Sequence, residues 1–158
     1  MRKLSLTIAI AILAVSSFAA APADRPSKKA PGAPDAAYMQ KILDAWGTLD
    51  TGKVAPYYTG GPGHVYYDIA PLKYNSWEDY AAGVSNLAGD LKSLTLTLND
   101  DAVVHPQGDL AWGTATVKGD FVHKSGKVEM GTYRWTVIWE NRDGKWIIVH
   151  DHFSAPTP

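Results

Sequence analysis

The chain has 158 residues, 15 basic and 16 acidic, a formal charge of −1 and no cysteine. That balance gives no basic footprint for nucleic acid or an anionic membrane surface, and the lack of cysteine excludes both disulfide staples and a lipid-modified N-terminal cysteine. A fold of this size must therefore be held by its own core.

Met1-Arg2-Lys3 is a short basic start to the apolar run Leu4 to Val15, and Ser16-Ser17-Phe18-Ala19-Ala20-Ala21 follows with small residues. The run is too short to span a bilayer comfortably, so residues 1–21 read as a secretory signal peptide, with the mature chain starting between Ala20 and Asp24. A periplasmic or secreted protein is expected, free of the membrane once the leader is cleaved. Losing Arg2 and Lys3 takes the formal charge from −1 to −3. Residues 22–34, PADRPSKKAPGAP, offer no periodic apolar face and read as an unpacked Pro/Ala-rich linker. One domain, residues 35–158, remains.

Asp35 can cap a helix whose apolar residues Met39, Ile42, Leu43, Trp46 and Leu49 fall at helical spacing, and Asp50-Thr51-Gly52 ends it. The stretch HVYYDIAP is a short strand stopped by Pro71. Ser76 and Asp79 have capping-box spacing at the start of a second helix, with a stripe of Trp77, Tyr80, Ala81, Val84, Leu87 and Leu91. From Ser93 the period changes to two, and strands are expected near 93–105, 109–121, 128–141 and 145–154, separated by turn sequences at 106–109, 124–127 and 141–144. No internal repeat is present, and Gly60-Gly61-Pro62-Gly63 lacks the Lys-Ser/Thr of a phosphate loop. Helices followed by an antiparallel meander make an α+β domain.

Three stretches, LDAWGTLDTGKVAPYY, HVYYDIAPLKYNSWEDY and RWTVIWENRDGKWIIVHDHFS, together resemble the SnoaL-like branch of the nuclear transport factor 2 and ketosteroid isomerase superfamily. The resemblance implies a conical fold in which N-terminal helices pack in a curved antiparallel sheet around an internal pocket, often as a dimer. Isomerases, cyclases, dehydratases, hydrolases and noncatalytic association modules share that fold, so chemistry does not follow from it. Asp68 stands at a place similar to the strand position of the ketosteroid isomerase catalytic aspartate. The helix position corresponding to that enzyme's oxyanion tyrosine holds Ile42, with Tyr38 one turn away, which departs from the steroid isomerase pattern.

The turn Asn141-Arg142-Asp143-Gly144 suits a three-residue loop with Gly144 left-handed and a bulge beside it. That register pairs Ile138 with Ile148, Thr136 with His150 and Arg134 with His152, all on one face, and leaves Tyr133, Trp135, Val137, Trp139, Ile147, Val149 and Phe153 on the other with Asp151 as the lone charge. The mixed face is assigned inward, as a core opening into a pocket.

On that assignment Asp68, His150 and His152 are the candidate catalytic groups, with partial burial raising the pKa of Asp68 toward that of a general base. Arg134, Thr136, Tyr66, Trp77 and Trp112 are the candidate ligand-binding residues, Arg134 as a carboxylate clamp or a partner of Asp68. The blander alternatives are hydrogen-bonded structural histidines, a strand-end aspartate and core aromatics. A metal shared by His150 and His152 lacks a third ligand and would meet the charge of Arg134, so neither metal nor cofactor is expected. Three readings stay open: a module binding a small, partly apolar, carboxylate-bearing ligand; an isomerase, cyclase or hydrolase using Asp68 or a histidine; and an association module with a vestigial pocket. A homodimer through the outer sheet face, centred on Trp135 and Trp139, is expected.

Overall fold

A computed structural model of the chain describes residues 32–69 and 71–157. The expected signal peptide and most of the expected linker lie outside the described residues. Ala33 and Pro34, the end of that linker, are buried, Ala33 within the core cluster, so packing begins ahead of the Asp35 cap.

Helix α1 (Ala36–Gly47) is capped by the Asp35 carboxylate, which accepts from Tyr38 N, and buries Met39, Ile42 and Leu43. A one-turn helix α2 (Thr51–Val54), capped by Asp50, and a 3-10 turn at Ala55–Tyr57 lead to β1 (Pro62–Tyr67) and the short β2 (Tyr74–Ser76). Helix α3 (Trp77–Ala88) starts where Ser76 accepts from Asp79 N, as the capping-box spacing predicts, and buries Trp77 and Tyr80. The remainder is β3 (Leu91–Leu98), β4 (Val103–Gln107), β5 (Leu110–His123), β6 (Val128–Arg142) and β7 (Lys145–Ser154).

These strands form one seven-stranded sheet in the order β2-β1-β7-β6-β5-β3, with β4 also paired to β5. The ladders are antiparallel except β1 with β7, which is parallel, so the sheet is mixed where a fully antiparallel one is expected. The single strand expected at 93–105 is two, because Asn99 to Ala102 break away; β3 and β4 then pair in succession along β5. Thr116 holds that break: its amide donates to Asp101 Oδ1 (2.9 Å), and its hydroxyl accepts from Asn99 Nδ2 (2.8 Å).

Helix α1 is fixed across β3 by Gln40, whose Nε2 donates to Leu96 O (2.9 Å) and whose Oε1 accepts from Leu98 N (2.8 Å). The core between helices and sheet is built on Trp135, Val137 and Trp139 of β6, Ile148 of β7 and Val117 of β5, all buried. These include the tryptophans that the sequence places at the centre of an outer dimer face. The two faces of β6 are thus reversed from expectation.

The reversal lies in which face the helices cover, since Trp135, Val137 and Trp139 share a face in any register and that face is the buried one. Two local features set the pairing of β6 with β7. The hairpin closes with a two-residue loop, Asp143 and Gly144 both at positive φ (53° and 84°), so Arg142 pairs with Lys145. The ladder then slips: Trp139 pairs with Ile148 but Ile138 with His150, leaving Val149 unpaired as a bulge. Trp146 and Ile148 consequently point inward near the turn, while beyond the bulge Asp151 and Phe153 point inward. Ile138, Thr136 and Arg134 lie on the outer side opposite His150, His152 and Ser154.

Gly83 lets α3 approach β2: a Cβ there would sit 2.4 Å from a ring carbon of Tyr74, itself buried and stacked on Tyr80 at 5.0 Å. Alanine favours a helix over glycine by about 1 kcal/mol, yet Gly83→Ala is expected to destabilise the domain by about 1–3 kcal/mol in urea unfolding, since overpacking wins. A more stable variant would show that the Tyr74 ring yields without cost.

Candidate functional site

An apolar cavity of about 130 Å³ lies between the helices and the inner sheet face. Leu43, Trp46, Val84, Leu94, Phe121 and Trp135 contribute to its wall, and two carboxyls, Asp68 and Asp151, face it. Among the described residues no basic side chain lines it. The volume is close to the ~150 Å³ of an apolar cavity that accepts benzene.

Asp151 is fully buried. Its Oδ2 accepts from Tyr58 Oη at 2.5 Å, and Tyr58 Oη accepts from Trp46 Nε1 at 3.2 Å, making a chain from α1 to β7. Oδ1 has no partner of hydrogen-bonding geometry among the described residues. Burial pushes the Asp151 pKa up to about 8, hydrogen bonding by Tyr58 opposes this, the charge of Asp68 adds to it, and the Trp135 indole is near enough to lower it slightly. At neutral pH the group is mostly a carboxylic acid. Burial and the neighbouring Asp151 also push the Tyr58 hydroxyl well above its ordinary value.

Tyr58 is held in place by rings. Trp77 stacks on it at 4.6 Å, Tyr66 meets it edge-on at 5.5 Å, and Tyr66 stacks on Tyr80, also at 5.5 Å. The hydroxyl of Tyr66 donates to Thr59 O at 3.2 Å. Tyr66 and Trp77, expected to touch ligand, instead form the layer behind Tyr58; Tyr80 is the ring of that cluster that reaches the cavity alongside Trp46.

Asp68 follows directly on β1 and is partly exposed, with Oδ1 accepting from Ile69 N at 2.7 Å. Burial raises its pKa to about 6, against hydrogen bonds from Ile69 and Tyr80. This agrees with the direction expected from the sequence. Asp68 also borders an outer depression with Tyr67, Ile69, Leu72 and His152. It therefore stands between the cavity and the surface.

The other expected site residues are not gathered around it. Arg134 is exposed on the outer face, and no ion pair joins it to Asp68. Thr136 lies on that face opposite His152. His150 bonds through Nδ1 to Val65 O (2.6 Å), and both histidine rings meet Tyr67, at 5.6 and 5.5 Å, so His150 fits the structural alternative. Trp112 is 43 % exposed on the outer face and stacks on His105 at 3.9 Å. Tyr38 donates to Trp146 O and Ile42 is fully buried. Among the described residues no group of three potential metal ligands comes together. Asp151, missed as a site residue, did carry a signal: it is the lone charge on an otherwise apolar strand face.

A curved, unclosed sheet wrapped on N-terminal helices is the fold of the nuclear transport factor 2-like superfamily. The SnoaL-like domain model matches residues 36–158, and the chain belongs to that family. Among solved structures, it is similar to a nuclear transport factor 2-like superfamily protein from Salmonella enterica serovar Typhimurium, at 18 % identity and TM-score 0.67 over 76 % of this chain and 89 % of that one. A candidate calcium/calmodulin-dependent protein kinase II association domain from Xanthomonas campestris has 24 % identity and TM-score 0.67 over 84 % and 96 %. The association domain of that kinase from C. elegans has 18 % identity and TM-score 0.56 over 74 % and 89 %. No curated protein matches the sequence significantly.

The raised acids make stability depend on pH in the sense opposite to a salt-bridged aspartate. With folded pKa values of about 8 for Asp151 and about 6 for Asp68 against an ordinary 3.8, the folded state holds more protons than the unfolded state between those limits. The ionisation cost is absent below about pH 4, grows as pH rises, and is complete above about pH 8. Thermal melting should therefore fall between pH 5 and 8.5, and Asp151→Asn should remove most of the fall above pH 6. A wild-type melting temperature that is flat over that range would show that Asp151 is ionised in the folded protein.

Proposed function

We propose that the domain binds a small, uncharged, largely apolar molecule bearing one oxygen acceptor and transfers a proton within it. The observation that carries this reading is the placement of Asp68 and Asp151 on one apolar cavity, with no basic side chain among the described residues lining it. Two acids of unequal pKa suit two roles. Asp68, the more acidic, is the base that takes a proton from the carbon next to a carbonyl. Asp151, neutral at the same pH and with no partner of hydrogen-bonding geometry for Oδ1 among the described residues, donates to the oxygen on which negative charge collects. Return of the proton to the same or a neighbouring carbon gives exchange or isomerisation, with no oxidant or leaving group required. A carboxylate-bearing ligand, expected when Arg134 is placed inward, is disfavoured because Arg134 is outside and the cavity already holds two acids.

Exchange of solvent deuterium into the alpha positions of 2-hexanone, followed by NMR, tests this without knowledge of the natural substrate. Wild type should accelerate exchange, with a rate that rises through about pH 6 and declines near pH 8, following the two acids. Asp68→Asn should lower the rate by about 100-fold or more while leaving ketone binding in place. Equal rates for wild type and variant would overturn the assignment of Asp68.

A second reading, association of two copies through the outer sheet face, is favoured by the exposure of Val103 (48 %), Leu110 (51 %) and Trp112 (43 %) beside Ile138. Two structures of the same fold are described as association domains. The centre of such a dimer is Trp112, not the buried Trp135 and Trp139. Sedimentation should show a wild-type dimer that Trp112→Glu shifts toward monomer; a wild-type monomer at micromolar concentration would refute it.

A further inference from the structure

Helix α1 ends at Gly47, Thr48 caps it, and Leu49 follows with φ of 59°. This left-handed position after a helix is usually glycine, because a side chain there is strained; here it is a leucine whose amide still donates to Trp46 O at 3.0 Å, as a glycine would. The side chain lines the cavity. Also on the wall are Leu87, which is exposed, and Thr51, Ala88 and Leu91, which are partly so. Close by, Thr51 Oγ1 lies 3.3 Å from Ser85 Oγ of α3.

We propose that Leu49 sets the length of molecule the cavity accepts, its strained backbone being retained because it carries this side chain to the cavity wall. The proposal rests on the ligand reading above and adds a specificity-determining residue to it. A strained residue that merely ended the helix would be better served by glycine, and strain concentrates where a side chain has a task. Truncating Leu49 extends the apolar bore toward solvent without touching Asp68 or Asp151.

The test is titration of wild type, Leu49→Gly and Leu49→Ala with the series from 2-pentanone to 2-undecanone, read by quenching of tryptophan fluorescence, since Trp46 and Trp135 line the cavity. Affinity for wild type should rise about fourfold per added methylene and then level off; in both variants the rise should continue to longer members. Leu49→Gly should melt above Leu49→Ala, because only glycine relieves the backbone. A plateau at the same chain length in all three proteins would refute the role of Leu49 while leaving the ligand reading intact. Failure of wild type to bind any member would sink both.

Discussion

One residue without a ladder partner, Val149, determines which side chains reach the interior. Alternation along β7 would otherwise put Trp146, Ile148, His150 and His152 on a common face. The bulge breaks that parity, so the turn end of the hairpin contributes Trp146 and Ile148 to the core and the far end contributes Asp151 and Phe153. Without it, either the tryptophan would be lost from the core or the carboxyl from the cavity. The curvature of the sheet and the chemistry of its concave side thus share one cause, since a bulge also bends and twists its strand.

A buried carboxyl without a cation is costly, and its surroundings show how the cost is contained. Asp151 is held in place by Tyr58, and Tyr58 by Trp46 and by stacking on Trp77. A phenol donates well to either form of the acid but supplies no positive charge, so it orients Asp151 without forcing it to ionise. An arginine there would have given a stable carboxylate and no proton to donate. The ring cluster therefore affects protonation as well as packing: it buries the acid without supplying a charge and fixes its direction.

Much of the architecture was legible from local signals. Asp35 and Ser76 are caps in the structure as their spacing suggests, the period change near Ser93 marks the passage from helices to sheet, and Asp68 lies on the cavity with a raised pKa. The inward face of β6 is not legible from the hairpin, because loop length and bulge set only its pairing with β7 while the cover of α1 and its neighbours decides which side is core. Asp143 accepts a left-handed conformation that permits a two-residue loop, and Val149 bulges without a glycine to announce it. Arg134, Thr136, His150 and His152 do share one side of the hairpin, as expected, but that side is the outer one, so it does not bring Arg134 to Asp68. Trp77 and Tyr66 stand one layer behind the cavity, because aromatic residues at helical or strand spacing do not reveal which of several rings stands in front.

Gln40 presents to Leu96 and Leu98 the donor and acceptor of a peptide group, so that a helix side chain occupies the place of another strand beside β3. The edge that this amide covers carries Leu94-Thr95-Leu96-Thr97, an alternating stretch of high strand propensity. Its protection is borrowed from α1, the first helix of the domain. Any truncation or fusion that lifts α1 would bare a template for intermolecular strand addition beside β3.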